Sequence, residues 1–186
     1  MIRKPALLSH ALLVLTLCGG PAAAGETDAT TDAATPATVD VMAKLSALEG
    51  DWVLLDENGE ETDVIASTFR ITAAGSTLME VMFPDDPNGN EMLNTYHADG
   101  DRVLMTHYCA AGNQPRMEVR ATDDANRLAL YFESITNLVP SEEGHHMGQA
   151  EYIFHGDDRL TTHWQSVIDG KLSEEDKATF ELKRKK

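Results

Sequence analysis

Histidine and cysteine side chains two residues apart, His107 and Cys109, are the positions of this sequence that most readily suggest chemistry. On a β-strand, residues two apart project from the same face, so both could point into one site. Imidazole and thiolate together suit the softer metal ions, and the same pair could act as base and nucleophile. Their side chains would stand about 6.5 to 7 Å apart, which is beyond hydrogen-bond reach. The spacing alone therefore assigns neither a metal site nor a catalytic pair.

The segment that contains this pair, residues 91–109, has the pattern of a β-hairpin with a turn at Asp99-Gly100. With that turn, Ala98 pairs with Asp101, and alternation divides each strand into two faces. One of the two faces must point toward the protein interior. We assign to the interior the face that carries no arginine, because a guanidinium group is costly to bury. This face consists of Met92, Asn94, Tyr96, Val103, Met105, His107 and Cys109.

A second strand, at Arg159–Ile168, places Trp164 on the face that it shares with Leu160. Buried polar groups need a hydrogen-bond partner or a ligand, so inward-facing polar and polarizable side chains are the candidates for ligand binding. They are Asn94, Tyr96, Met105, His107, Cys109 and Trp164. The alternative is that these side chains satisfy one another and fill the interior.

The histidines, seven in all, raise the question of a metal site. His97 and His107 fall on opposite faces of the hairpin, and the adjacent His145 and His146 diverge in an extended chain. Metal ligands must converge on one point, so we predict no metal site. The chain also lacks a serine elbow, a phosphate-binding loop and a dinucleotide fingerprint, so no catalytic residue is assigned.

The elements that would position these side chains are short alternating runs that begin at Asp51. Turn residues separate the runs at intervals of roughly 8 to 12 residues, which is typical of a sandwich or barrel. Asn58-Gly59 and Asp99-Gly100 resemble two-residue hairpin turns. A meander of about ten hairpin-linked strands removes its exposed edges by closing. We therefore predict an all-β, antiparallel up-and-down barrel, with an immunoglobulin-like sandwich as the competitor.

The part of the chain before the strands divides into three segments. Residues 1–24 have the charged start, the apolar run and the small residues of a secretory signal peptide. Residues 25–38 are low in complexity and read as a disordered linker. A short helix follows, with Asp40 as its N-cap and Gly50 as its left-handed end. The barrel domain is thus expected at residues 39–186.

The charge of the chain excludes one class of partner. It has 15 basic and 31 acidic residues, for a formal net charge of −16. Such a surface repels phosphate backbones, so we expect no nucleic-acid binding. No segment reaches the roughly 20 apolar residues of a transmembrane helix, and the signal peptide predicts a periplasmic or secreted location. The sequence does not predict an oligomeric state.

A resemblance adds to this interpretation. The segment LSALEGDWV, residues 45–53, contains a G-x-W motif at Gly50 and Trp52, directly after a helix and at the start of the first strand. This resembles the lipocalins and their calycin relatives. The resemblance implies that Trp52 closes the barrel floor and that a basic residue of the last strand, here Arg184, packs over its ring.

Residues 91–117 also resemble uncharacterised secreted bacterial proteins that are called lipocalin-like. That resemblance implies a barrel but brings no activity and no catalytic residues, and we predict no cofactor. Calycin pockets are largely apolar with a few convergent polar groups, so the expected function is an exported protein that holds a small, mainly apolar ligand. An enzyme or a heme- or metal-binding barrel that uses His107 is an alternative, as is a filled barrel with a structural role.

Overall fold

The computed structural model describes residues 36–138 and 144–186. In this part of the chain one helix, α1 at Pro36–Ser46, precedes ten strands. The strands are β1 Gly50–Leu55, β2 Glu61–Thr72, β3 Thr77–Met82, β4 Met92–Asp99, β5 Arg102–Tyr108, β6 Gln114–Ala121, β7 Arg127–Thr136, β8 His146–Phe154, β9 Arg159–Ile168 and β10 Lys171–Arg184. The predicted signal peptide, and the predicted linker as far as residue 35, lie outside the described residues.

The ten strands form a closed antiparallel barrel. Each strand pairs with the next along the chain, and β1 pairs with β10, where Leu54 lies opposite Leu182. The prediction of an all-β antiparallel barrel is therefore confirmed. Large inward-facing side chains from most strands are at most 1 % exposed: Leu78, Tyr96, Met105, Met117, Leu130, Tyr152 and Leu160.

One end of the barrel, the floor, is closed by Trp52 and Arg184. The Trp52 side chain is 1 % exposed, and its Nε1 donates a hydrogen bond of 2.8 Å to the Leu48 carbonyl. The Arg184 guanidinium carbon lies 4.4 Å from the centroid of the indole ring. Arg184 also donates to the carbonyls of Ala47, Glu49 and Asp157. The structure thus places Arg184 over Trp52, as the resemblance implied.

Helix α1 differs from the predicted helix at both ends. It begins at Pro36 rather than at Asp40, and proline suits the first turn because the amide there has no helical partner. Thr38, which lies within the predicted linker, is 2 % exposed. The helix ends at Ser46, so Gly50 is not its C-cap but the first residue of β1.

Gly50 adopts a positive-φ backbone conformation that is strained for alanine. Its φ is +126°, and a Cβ there would lie 3.4 Å from Arg184 Nη1. We expect Gly50→Ala to lower the free energy of unfolding by about 2 kcal/mol, as measured by urea denaturation. Gly59→Ala is the control, because Gly59 has a φ of +78° but open space around it. An equal loss in both variants would show that the contact with Arg184 adds nothing.

The turns at Asn58-Gly59 and Asp99-Gly100 differ in geometry from the predicted two-residue hairpin turns. Gly59 ends a three-residue loop, in which the Asp56 amide donates to the Glu60 carbonyl and the Gly59 amide to the Asp56 carbonyl. In the β4–β5 hairpin, Asp99 pairs with Arg102, so the turn residues are Gly100 and Asp101. Only Gly100 has a positive φ, at 61°, which is the pattern of a type II′ turn.

Candidate functional site

A buried carboxylate, Glu80 on β3, is the centre of a polar network inside the barrel. Its side chain is 1 % exposed. Oε1 accepts a hydrogen bond of 2.6 Å from the Ser67 hydroxyl. Oε2 accepts from Asn94 Nδ2 at 2.7 Å, from the Tyr96 hydroxyl at 2.6 Å and from the Tyr152 hydroxyl at 3.3 Å. Four donors from β2, β4 and β8 therefore surround this one acceptor group, which compensates part of the cost of burying it.

The two tyrosines connect opposite sides of the barrel. The Tyr96 hydroxyl on β4 lies 2.7 Å from the Tyr152 hydroxyl on β8, and both side chains are fully buried. Burial raises the pKa of each phenol well above its ordinary value, and the nearby Glu80 charge raises it further. Both tyrosines therefore remain neutral hydrogen-bond donors throughout the usual pH range.

Asn94 relays the network to His107. Because Asn94 Nδ2 donates to Glu80, its Oδ1 faces His107 Nδ1 at 2.7 Å. An amide oxygen can only accept, so Nδ1 carries the proton of the imidazole and Nε2 carries the lone pair. His107 is 2 % exposed, and this burial lowers its pKa from 6.5 to about 4. At neutral pH the ring is therefore uncharged.

Trp164 lies beside His107 and has an unsatisfied donor. The two ring centroids are 5.5 Å apart and the planes are tilted by 39°. Trp164 is 4 % exposed, and its Nε1 has no hydrogen-bond partner in the described part of the chain. His107 Nε2 likewise receives no hydrogen bond from residues 36–138 or 144–186, where the one bond of the ring is at Nδ1. The unpartnered donor of Trp164 and the free nitrogen of His107 thus belong to two neighbouring rings inside the barrel.

Four apolar side chains pack against the core at the end of the barrel opposite α1, which we call the mouth. They are Phe83, Met92, Met147 and Phe180, and all four are partly buried against the core. The Phe83 ring meets the Phe180 ring edge-on, with centroids 5.3 Å apart. Phe83 follows β3 with a φ of 50° and donates its amide to the Ala66 carbonyl. Methionine side chains are flexible, so two of these four side chains can adapt to a neighbouring group.

The structure brings most of the predicted ligand-binding residues together. Asn94, Tyr96 and Met105 are all 0 % exposed in the interior, and they share it with His107 and Trp164. Cys109 is the exception. It follows β5, is half-buried, and is placed by backbone hydrogen bonds to Asn113 and Gly112. No contact between its thiol and His107 is found, so the two do not form a pair.

Sequence reasoning missed the acceptor at the centre of the network. Glu80 lies in the run TLMEVM, on the same alternating face as Leu78 and Met82. A carboxylate between two apolar residues at this spacing was a usable signal of a buried acid. The other face of the run, with Met79 and Val81, is also apolar, so alternation alone does not show which face points inward.

Metal-ligand clusters and membrane-spanning helices are both absent from residues 36–138 and 144–186. These residues contain no group of three or more histidine, cysteine, aspartate or glutamate side chains able to hold a metal ion. The same ranges contain no helix that combines the length and the apolar character needed to cross a bilayer.

Comparison with known proteins adds no relative. No family model matches the chain, and no curated protein matches it. The fold and the interior geometry are therefore the basis for assigning a function.

Proposed function

We propose that this protein is a binding protein that holds a small, mainly apolar molecule in the upper part of its barrel, next to His107 and Trp164. The observation that carries the proposal is the unpartnered Nε1 of the buried Trp164. A buried donor without a partner is destabilising by roughly 1 to 3 kcal/mol. Such a group is expected at a site where a ligand supplies the missing acceptor.

The surroundings of this donor support a ligand of mainly apolar character. The mouth side chains above it are two phenylalanines and two methionines, and the hydroxyl pair of Tyr96 and Tyr152 crosses the interior below it. A pocket with apolar walls and a few convergent polar groups is the usual form of a small-molecule site.

We further propose that the chain is a lipocalin-like barrel that is exported from the cell. The arrangement of Gly50, Trp52 and Arg184 at the floor supports the first part. The sequence of residues 1–24 supports the second. A measurement of the mature N-terminus after expression in a bacterial host tests export, because cleavage near residue 24 is expected.

Binding can be tested with the neutral fluorophore N-phenyl-1-naphthylamine, whose emission rises in apolar surroundings. We expect saturable binding to the purified protein, with energy transfer from tryptophan. Ala150 faces inward, is 5 % exposed, and pairs with Trp164 across β8 and β9. The variant Ala150→Leu fills space beside Trp164 and should weaken binding about tenfold, because larger side chains crowd a packed interior.

The matched control is Ala110→Leu, the same change at an exposed position after β5. It should leave the affinity for the fluorophore unchanged. Absence of binding to the unaltered protein, together with no thermal stabilisation by a panel of neutral apolar compounds, would contradict the proposal. The interior would then be a filled core, and the alternative of a filled barrel with a structural role would be favoured.

A further inference from the structure

We propose that the ligand of this site is a neutral hydroxyl compound, an alcohol or phenol with an apolar body, and that its hydroxyl group bridges His107 Nε2 and Trp164 Nε1. This inference rests on the proposed function and specifies its ligand class. It follows from the direction of each hydrogen bond in the network.

The direction is fixed first at Glu80. Asn94 donates through its amide nitrogen, Nδ2, to Glu80 Oε2 at 2.7 Å. Asn94 Oδ1 then accepts the Nδ1 proton of His107, so Nε2 is an acceptor. The indole Nε1 of Trp164 can only donate. A hydroxyl group is a small polar group that can donate a hydrogen bond to His107 Nε2 and accept one from Trp164 Nε1 at the same time.

The same network opposes an anionic ligand. Glu80 is buried in the interior at 1 % exposure, and within residues 36–138 and 144–186 no lysine or arginine side chain is buried. A carboxylate ligand would therefore lose its hydration without gaining a cation, and it would approach a like charge in a medium of low dielectric constant. An ether oxygen could accept from Trp164 but would leave His107 Nε2 without a donor.

Three ligands of matched size test this inference by displacement of N-phenyl-1-naphthylamine at pH 8: 1-dodecanol, its isomer methyl undecyl ether, and dodecanoate. We expect dodecanol to bind about tenfold more tightly than the ether, because one hydrogen bond is lost. Dodecanoate should bind at least about a hundredfold more weakly than dodecanol, since its charge is buried without a partner.

The variant His107→Phe keeps an aromatic ring but removes the acceptor. In this variant dodecanol and the ether should bind equally, because the hydroxyl proton of dodecanol has lost its acceptor while both oxygens can still accept from Trp164 Nε1. If His107→Phe does not fold, the comparison of alcohol and ether on the unaltered protein is still decisive. Equal affinity for dodecanol and ether, or tighter binding of dodecanoate, would overturn the inference and leave the proposed binding function intact. If the fluorophore and all three compounds fail to bind, the proposed function fails and this inference with it.

Discussion

Replacing Glu80 with methionine is expected to lower the free energy of unfolding by about 3 kcal/mol, although the new side chain is apolar and of similar size. The reason is the set of donors that surrounds Glu80. Asn94 Nδ2 and the hydroxyls of Ser67 and Tyr96 all point to this carboxylate. Each buried donor that loses its acceptor costs roughly 1 to 3 kcal/mol, while removal of the buried charge returns part of that cost.

Two further variants separate the acceptor from the charge. Glu80→Gln keeps one oxygen at the position that faces Asn94 and Tyr96, so it should cost only about 1 kcal/mol. Glu133→Met makes the same change as Glu80→Met at an exposed strand position, where Glu133 pairs with Arg102. It should change stability little, because exposed ion pairs contribute little. Urea denaturation of the four proteins measures these differences, and equal losses in the methionine variants would contradict the assigned role of the network.

The side-chain directions in the β4–β5 hairpin could be predicted from the sequence even though the pairing could not. The expected partner of Ala98 was Asp101, whereas the structure pairs Ala98 with Val103. A shift of two residues leaves every side chain on its face, because strands alternate with a period of two. Asn94 and His107 were therefore correctly placed in the interior despite the wrong register.

The centre of the network could not be predicted in the same way. The donors to Glu80 come from strands that are far apart in sequence: Ser67 lies 13 residues away and Tyr152 lies 72 residues away. Local alternation carries no information about which residues meet across a closed barrel. The core tolerates the Glu80 carboxylate because donors from these distant strands surround it. This arrangement can be recognised only once the strands are closed into a barrel.

The floor shows the opposite case, in which a local motif predicted a long-range contact. Gly50 and Trp52 are separated from Arg184 by nearly the whole described chain, yet Trp52 and Arg184 pair directly across β1 and β10. The resemblance to a known barrel class supplied this contact. The strand pattern alone predicted a closed barrel but not the contact between Trp52 and Arg184.

The stability of the protein is expected to fall steeply in mild acid because of His107. Burial lowers the pKa of this imidazole from 6.5 to about 4. Between these values the unfolded chain binds a proton that the folded protein does not, so the free energy of unfolding decreases as the pH falls. The loss begins near pH 6.5 and is complete near pH 4, and over this window it amounts to about 3 kcal/mol.

The variant His107→Gln isolates this effect from that of the many carboxylates of the chain. The glutamine amide can still donate to Asn94 Oδ1, the partner of His107 Nδ1, but it does not titrate. We expect the unfolding free energies of the two proteins, measured in urea from pH 7.5 to pH 4, to diverge in that window, with the unaltered protein losing about 3 kcal/mol more. The direct check is the titration of the His107 ring by NMR. A midpoint near 6.5, or parallel stability curves for the two proteins, would show that water reaches the imidazole. His107 Nε2 would then be hydrated and would not be a free acceptor for a ligand.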